Sequence, residues 1–165
     1  VCSLPCALLS SSSQRQIVLR DSPFISLLVS VLFSASVIAE QKIEDDNYIV
    51  HYSAINTTML TAEVAKASGI TRSRKRGMLN IAVQKKQKSG KIEGVLAQLN
   101  GNVSNLIGQQ RTLEFNVITE GTAIYYLAEF FLDDGERLSF SINVQPTPQY
   151  RGLKVNFDQT FFIDK

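Results

Sequence analysis

Apolar and polar residues alternate along most of residues 40–165, and this pattern constrains the fold more than any other feature of the chain. A period of two places successive side chains on opposite faces of a β-strand, whereas an amphipathic helix repeats about every 3.6 residues. The alternation predicts seven or more strands that each bury one face. The residues predicted to face inward are Tyr48, Val50, Tyr52 and Ala54; Leu79, Ile81 and Val83; Val95, Ala97, Leu99, Gly101 and Val103; Leu113, Phe115 and Val117; Ile124, Tyr126, Ala128, Phe130 and Leu132; Leu138, Phe140, Ile142 and Val144; and Leu153, Val155, Phe157 and Phe161.

The segments between these strands contain residues typical of turns and of one short helix. Asp133–Glu136 holds an Asp-Gly pair and predicts a tight hairpin, because glycine readily adopts the positive φ that such turns require. Residues 61–68 predict a helix that Thr61 caps and Gly69 ends. The Asn100-Gly101 pair fits either a hairpin turn or a bulge, and the unbroken alternation around it favours one long strand. The predicted fold class is all-β, an antiparallel immunoglobulin-like β-sandwich with one short helix.

Residues 1–39 differ from the rest of the chain and have the pattern of a secretory leader. Phe24–Ala39 contains no charged residue and follows Arg15 and Arg20, as the apolar region of a signal peptide follows its basic region. The alternative is a retained membrane anchor, but four serines interrupt the stretch, and a span needs roughly 20 mostly apolar residues. We therefore predict cleavage after Ala39, export to the periplasm, no stable membrane span after cleavage, and one β-sandwich domain at residues 40–165.

The composition argues against several classes of function. The chain has 17 Lys and Arg against 15 Asp and Glu, a net charge of +2, which lacks the positive excess expected of a nucleic-acid-binding protein. Both cysteines, Cys2 and Cys6, lie in the leader, so the predicted mature domain has neither a disulfide nor a thiolate nucleophile. The G-x-S-x-G, S-x-x-K and H-E-x-x-H motifs and a glycine-rich phosphate loop are also missing. The sequence therefore predicts no catalytic residue, metal site or cofactor, and points away from an enzyme.

Several sequence blocks of the predicted mature domain carry a resemblance to a known family. They are Tyr48-x-Val50-His51-Tyr52; Glu63-Val64-Ala65-Lys66 followed by Gly69-Ile70-Thr71-Arg72-Ser73; Arg76-Gly77-x-Leu79-Asn80-Ile81; Ala123-Ile124-Tyr125-Tyr126; and Asp133-Asp134-Gly135-Glu136. Through these blocks the chain resembles the bacterial family named domain of unknown function 4426, exported proteins of Gram-negative proteobacteria. The resemblance spans nearly all of residues 40–165. It implies a periplasmic β-sandwich without an assigned activity or cofactor, and it transfers no catalytic residue.

Four cations lie within five positions between the predicted helix and the next strand. Arg72, Arg74, Lys75 and Arg76 form this basic loop. Several cations on one exposed loop can bind carboxylate or phosphate groups, and arginine does so through two parallel hydrogen bonds. Charge runs on loops are also commonly no more than solvated surface, and the acidic hairpin Asp133–Glu136 offers nearby ion-pair partners. The sequence leaves both interpretations open.

Three further residues complete the candidate binding set. His51 is the only histidine, and histidine is a common general base and metal ligand. One histidine cannot form a three-histidine zinc site, and the alternation places His51 on the outer face of its strand, which is the simpler interpretation. Asn80 and Tyr125 could join Arg72 and Arg76 around a small anionic ligand, although tyrosine is also an ordinary residue on the outer face of a strand.

These features predict an exported, uncharacterised protein that serves as a non-enzymatic protein-interaction module. The edge strands and end loops of a sandwich commonly bind other proteins, and the basic loop, with His51 and Tyr125, is the surface to test. The alternative is a small-ligand binder or small enzyme that uses the Arg, Asn and Tyr residues, and a third class is a subunit of an envelope assembly. The expected partner is an envelope protein or an anionic ligand and not nucleic acid. Fold class alone does not decide among these functions.

Overall fold

The structure is a computed structural model that describes residues 41–163. The leader predicted at residues 1–39 and its cleavage site lie outside the described residues. The described elements are β1 (Lys42–Glu44), β2 (Tyr48–Asn56), a 3-10 turn (Thr57–Met59), α1 (Ala62–Ala67), β3 (Arg76–Lys86), β4 (Ile92–Gly94), β5 (Gln98–Asn105), β6 (Gln110–Leu113), β7 (Asn116–Glu120), β8 (Ala123–Phe131), β9 (Glu136–Gln145) and β10 (Leu153–Phe161). No helix within residues 41–163 is long and apolar enough to cross a membrane.

The strands form two sheets in which neighbouring strands are antiparallel. Sheet A has the order β1-β2-β3-β8-β7, and β4 pairs with the end of β3. Sheet B has the order β10-β9-β5-β6. Together with the short helix α1, this arrangement confirms the predicted antiparallel β-sandwich.

Side chains from the inner faces of both sheets form the core, as the alternation predicts. The inward residues of β3 and β9 are fully or almost fully buried: Leu79, Ile81, Val83, Leu138, Phe140, Ile142 and Val144. Burying an aliphatic or aromatic side chain of this kind contributes roughly 1.5–3 kcal/mol. Phe140 lies at the centre, stacked on Phe157 with 4.6 Å between ring centroids, and it meets Phe130 of sheet A edge-on at 5.0 Å. The apolar positions of the alternating pattern therefore lie where the two sheets pack against each other.

The single strand predicted from Val95 to Val103 is wrong, because the chain changes sheets inside it. β4 belongs to sheet A and β5 to sheet B, and residues 95–97 cross between them. Val95 and Ala97 still pack against the core, and the Ala97 N–H donates to the Tyr126 hydroxyl oxygen at 2.6 Å. The alternating pattern cannot distinguish such a crossing from a continuous strand. A segment that runs from the inner face of one sheet to the inner face of the other also has an apolar residue at every second position.

The run from Leu113 to Val117 divides in the same way. Leu113 ends β6 in sheet B, and Val117 lies on the edge strand β7 of sheet A, where it is 52% exposed instead of facing inward. The Asn100-Gly101 pair lies inside β5 with no turn. A Cβ at Gly101 would lie 2.9 Å from the Ile142 side chain on the neighbouring strand, so a close backbone approach explains this glycine.

The predicted helix is present, but the hairpin predicted at Asp133–Glu136 is wrong: the tight turn forms, yet it joins β8 of sheet A to β9 of sheet B, and these two strands do not pair with each other. The Thr61 hydroxyl accepts the Val64 N–H at the start of α1, and Gly69, with a φ of 66°, follows its end. α1 buries Ala65 in a small cluster on the outer face of sheet A, together with Ile70, Met78 and Leu127. In this turn between the sheets, which we call the acidic turn (Asp133–Glu136), Gly135 has a φ of 70°, and the Glu136 N–H donates to the Asp133 carbonyl at 3.1 Å.

Candidate functional site

Antiparallel pairing brings several connections to one end of the sandwich, which we call the loop end. It comprises residues 57–61, 71–76, 105–110, 131–136 and 162–163. Hydrogen bonds join these segments: the Leu132 N–H donates to the Lys75 carbonyl at 3.1 Å, and the Ile163 N–H donates to Asp134 Oδ1 at 2.9 Å. Asn105 Nδ2 donates to Glu136 Oε1 at 3.3 Å. The basic loop, the acidic turn and the β5–β6 turn therefore form one continuous surface.

The basic loop is held by two buried or half-buried polar side chains. Thr57 is fully buried, and its hydroxyl donates to the Ser73 carbonyl at 3.0 Å and accepts the Ser73 N–H at 2.9 Å. Glu129 accepts the Thr71 N–H at 2.7 Å through Oε1 and pairs with Arg76 through Oε2. Both ends of the loop are therefore anchored, and its central cations are presented on a defined backbone.

The four cations of this loop have different surroundings. The Arg76 guanidinium pairs with Glu129 and lies over the Phe131 ring, 4.7 Å from its centroid. Arg72 Nη2 donates to the Thr58 carbonyl at 3.2 Å. Lys75 Nζ lies 3.4 Å from Asp133 Oδ1, and both side chains are more than 70% exposed (72% and 75%), so this ion pair contributes about 0–1 kcal/mol. Arg74 is exposed at the tip. Arg76 therefore stabilises the loop, while Arg74 and Lys75 face solvent.

The loop end also exposes large apolar side chains, which the sequence reasoning missed. Leu106 and Ile107 are 80% and 79% exposed, and Met59, Phe131 and Phe162 are also more than half exposed. Contiguous exposed apolar surface on a folded domain commonly marks an interaction site.

The β5–β6 turn that carries Leu106 and Ile107 is rigidly held. The Gly108 N–H donates to the Asn105 carbonyl at 3.0 Å, so Leu106 and Ile107 occupy the two central turn positions. Asn105 also bonds Gln109 twice, accepting its N–H through Oδ1 and donating to its Oε1, each at 3.0 Å. Central turn positions usually carry Gly, Pro, Asn, Asp or Ser. An aliphatic pair between Asn105 and Gly108 is the signal in the sequence that could have identified this tip.

The other candidate residues lie elsewhere, on the outer face of sheet A. His51 and Tyr125 are the direct partners of Ala82 in the strands on its two sides, and Asn80 lies two residues along the same strand. His51 Nε2 is 3.1 Å from Gln84 Oε1, and Asn80 Oδ1 is buried without a hydrogen-bond partner among the described residues. The structure therefore brings His51, Asn80 and Tyr125 together around Ala82.

Arg72 and Arg76 do not join that group. Arg76 and Asn80 are four residues apart on β3, which separates their Cα atoms by about 13 Å. Met78, packed with Leu127 in the cluster under α1, lies between them. The candidate binding residues therefore divide into a loop-end set and a sheet-A set.

A cleft of about 500 Å³ opens beside the sheet-A set, between β4 and the β7–β8 turn. Its walls include Ala82, Gln84 and Tyr125. They also include Glu93 of β4 and Lys91, the residue before β4, and these two side chains form an ion pair. Their mutual hydrogen bond raises the pKa of Lys91 and lowers the pKa of Glu93. Within residues 41–163 no three His, Cys, Asp or Glu side chains group as metal ligands. The cleft can hold a small molecule by mixed polar and apolar contacts.

Comparison with known proteins identifies the family. The family described as Domain of unknown function (DUF4426) matches residues 42–164. The crystal structure of a DUF4426 family protein from Pseudomonas aeruginosa PAO1 is 32% identical in sequence, with a TM-score of 0.64, and the match covers 76% of this chain and 97% of that chain. FetP of uropathogenic Escherichia coli, expressed in the periplasm for its crystal structure, shares the fold at 8% identity and a TM-score of 0.55, covering 76% of this chain and 95% of its own. No curated protein matches the chain. The chain therefore belongs to the DUF4426 family, whose description assigns no activity.

Proposed function

We propose that this protein is exported to the periplasm and acts there as a non-enzymatic interaction module that binds an envelope protein through its loop end. The export part of the proposal is supported by the leader, in which an uncharged apolar stretch follows two arginines and ends in Ala39. The observation that carries the binding part is the exposure of Leu106 and Ile107 on a rigid turn beside the basic loop.

A rigid apolar tip suits protein recognition because little conformational entropy is lost when it binds. Most of the binding energy at protein interfaces comes from a few anchoring side chains that enter pockets on the partner. Leu106 and Ile107 already occupy fixed positions in a hydrogen-bonded turn. We therefore assign them the role of anchors.

The charges around the tip favour a protein partner over a purely anionic one. The loop end carries the cations Arg74 and Lys75, and the acidic turn places Asp133 within 3.4 Å of Lys75, with Asp134 as the next residue. A phosphate-rich surface would be repelled by these carboxylates, whereas a protein can present charges of both signs. The mixed charges select the orientation of a partner, and the apolar tip supplies the affinity.

The alternative of a small anionic ligand bound by Arg72, Arg76, Asn80 and Tyr125 has less support. Arg76 already pairs with Glu129 and lies over Phe131, and Asn80 lies beyond the cluster under α1. A separate neutral ligand in the cleft beside Tyr125 would still be compatible with the geometry. A subunit role in an envelope assembly would use the same loop end with a permanent partner.

In-cell crosslinking in the periplasm, followed by mass spectrometry of the captured proteins, tests the proposal. We compare the wild-type chain with Leu106→Ser/Ile107→Ser and with Arg74→Ser/Lys75→Ser. All four side chains are exposed, so these substitutions should change the unfolding free energy by no more than about 0.5 kcal/mol each. The tip variant should lose at least about 90% of the captured partner, because hot-spot residues cost about 2 kcal/mol or more when truncated.

The matched control carries Ile92→Ser/Val117→Ser, which removes two exposed apolar side chains outside the loop end (51% and 52% exposed). This control should capture the partner as the wild type does. Equal capture by the wild type and both loop-end variants would refute the loop end as the binding surface.

A further inference from the structure

The outer face of sheet B carries no apolar residue on three neighbouring strands, and its single charge there is Arg137 near the start of β9. The outward positions on β5, β6 and β9 alternate with buried residues such as Val103, Phe140 and Ile142. Every other outward position bears an amide or a hydroxyl: Gln98, Asn100, Asn102, Ser104, Gln110, Thr112, Ser139, Ser141, Asn143 and Gln145. The exposed face of a sheet normally mixes such residues with Lys, Glu and Arg.

Asparagine on these strands needs an explanation, because it is among the residues that strands disfavour. Asn100 and Asn143 are direct partners on β5 and β9, and Asn102 pairs with Ser141 one step along. The side chains of Asn100, Asn102, Ser141 and Asn143 make no hydrogen bond to other side chains or to the backbone within residues 41–163. They therefore do not stabilise the sheet through hydrogen bonds, and Asn100 and Ser141 are exposed to solvent while Asn102 and Asn143 are half-buried. A residue that breaks a local preference without a structural gain commonly serves function.

The arrangement forms a shallow hollow. Asn100, Asn102, Thr112, Ser141 and Asn143 line a depression of about 520 Å³, with Gly101 among its lining residues. Charged residues lie outside the hollow: Lys154 and Asp158 are on the edge strand β10, across from Asn143 and Ser139, and Arg137 is near the start of β9. Arg137 already pairs with Asp158 at 2.9 Å. The hollow itself is a two-dimensional array of uncharged donors and acceptors.

We propose that this face binds an uncharged polymer rich in hydroxyl and amide groups, that is, a neutral glycan chain. The charge balance carries the choice of ligand, since ten neutral side chains supply no counter-charge for phosphate or carboxylate. Amides and hydroxyls both donate and accept, as sugar hydroxyls and acetamido groups do. A flat face also suits an extended chain that spans several strands. This face is separate from the loop end, so the inference is independent of the protein-interaction role.

Backbone amide chemical shifts during titration with the tetramer of N-acetylglucosamine test the inference, and the glucose tetramer serves as a second probe without acetamido groups. The titration uses the whole protein as purified from the cells that express it, and not a fragment. Saturable shift changes should map to β5, β6 and β9. Asn100→Val/Asn143→Val should weaken binding by about tenfold, because it removes two amides from the centre of the hollow. Valine pairs well across strands, so this variant should retain the fold.

The matched control is Asn116→Val, which changes an exposed asparagine on the edge strand β7 of the other sheet. It should bind the N-acetylglucosamine tetramer as the wild type does. Shift changes with both sugars would support recognition of hydroxyl groups, and changes with the first alone would support recognition of acetamido groups. The inference is wrong if neither sugar shifts these strands, if the changes map elsewhere, or if sedimentation shows a second copy of the chain on this face.

Discussion

At the residue scale, Asp45 couples ionisation to folding at the end of the sandwich opposite the loop end. Its Oδ1 accepts the Asn47 and Tyr48 N–H groups at 2.9 and 2.8 Å, and its Oδ2 accepts the Tyr150 hydroxyl. Burial by itself would raise the pKa of Asp45, but the hydrogen bonds from Tyr150 and the two backbone groups outweigh it and hold the pKa below its ordinary value of 3.8. The carboxylate thereby joins the β1–β2 turn to the β9–β10 connection.

Asp45→Asn should lower the unfolding free energy at pH 7 by about 1 kcal/mol, because hydrogen bonds to a charged acceptor are stronger than neutral ones. Since the folded-state pKa is lowered, the contribution of Asp45 is complete above the unfolded-state pKa and is lost as the pH falls through the folded-state value. The difference between wild type and variant should therefore shrink between about pH 5 and pH 2. Urea unfolding across this range measures it.

Asp46→Asn is the matched control, because Asp46 is exposed in the same turn and makes no hydrogen bond among the described residues. It should leave both the stability at pH 7 and its pH dependence unchanged. A wild type and an Asp45→Asn variant with the same pH dependence would show that the carboxylate has no energetic role.

At the scale of elements, the basic loop depends on the buried hydroxyl of Thr57. Thr57→Val keeps the shape of the side chain but leaves the Ser73 N–H and carbonyl without their partner. Unsatisfied buried groups cost about 1–3 kcal/mol, so the variant should be destabilised by that amount. Hydrogen exchange should accelerate at residues 71–76 before it does so in the core strands. Thr119→Val, at an exposed position of β7, should change neither quantity.

The sequence predicts the elements better than it predicts the site. The inward-facing positions of β3, β8 and β9 can be predicted from the sequence, because each strand is long and buries one face continuously. The points near Ala97 and Phe115 at which the chain passes from one sheet to the other cannot be predicted from the sequence. The apolar residues on both sides of each point face the same core, so the alternating pattern continues across it. The separation of Arg76 from Asn80 follows from β3, which begins at Arg76 and extends the chain between them, and α1 then packs on Met78 of the same outer face through tertiary contacts. Such contacts between distant segments leave no periodic signal in the chain.

At the scale of the whole molecule, the fit between the sheets requires a glycine at position 77. Gly77 lies on β3 with its face toward the core, and a methyl group there would overlap the Phe130 ring. That ring packs edge-on against Phe140 and Phe161 of sheet B, with centroids 5.0 and 5.2 Å apart. It therefore has little freedom to move away, which gives a physical reason for the glycine at position 77.

Gly77→Ala should destabilise the domain by about 1–3 kcal/mol through overpacking. Phe130→Leu removes ring atoms from the same place, so the double variant should be less destabilised than the sum of the two single variants. Chemical unfolding of all four proteins measures this coupling. Additive effects would mean that the backbone at Gly77, and not the Phe130 ring, limits the site.

The chain passes between the two sheets at residues 95–97, at residues 114–115 and through the acidic turn. Neither sheet is therefore a continuous piece of the sequence, and β3 finds its partner β8 only after about 50 further residues have become available. Folds dominated by such distant pairings form on a scale of roughly milliseconds to seconds. Under the export proposed above, this slowness would have a use: a chain that has not yet formed these distant pairings is unfolded, and an unfolded chain is the form that can be threaded through a narrow pore.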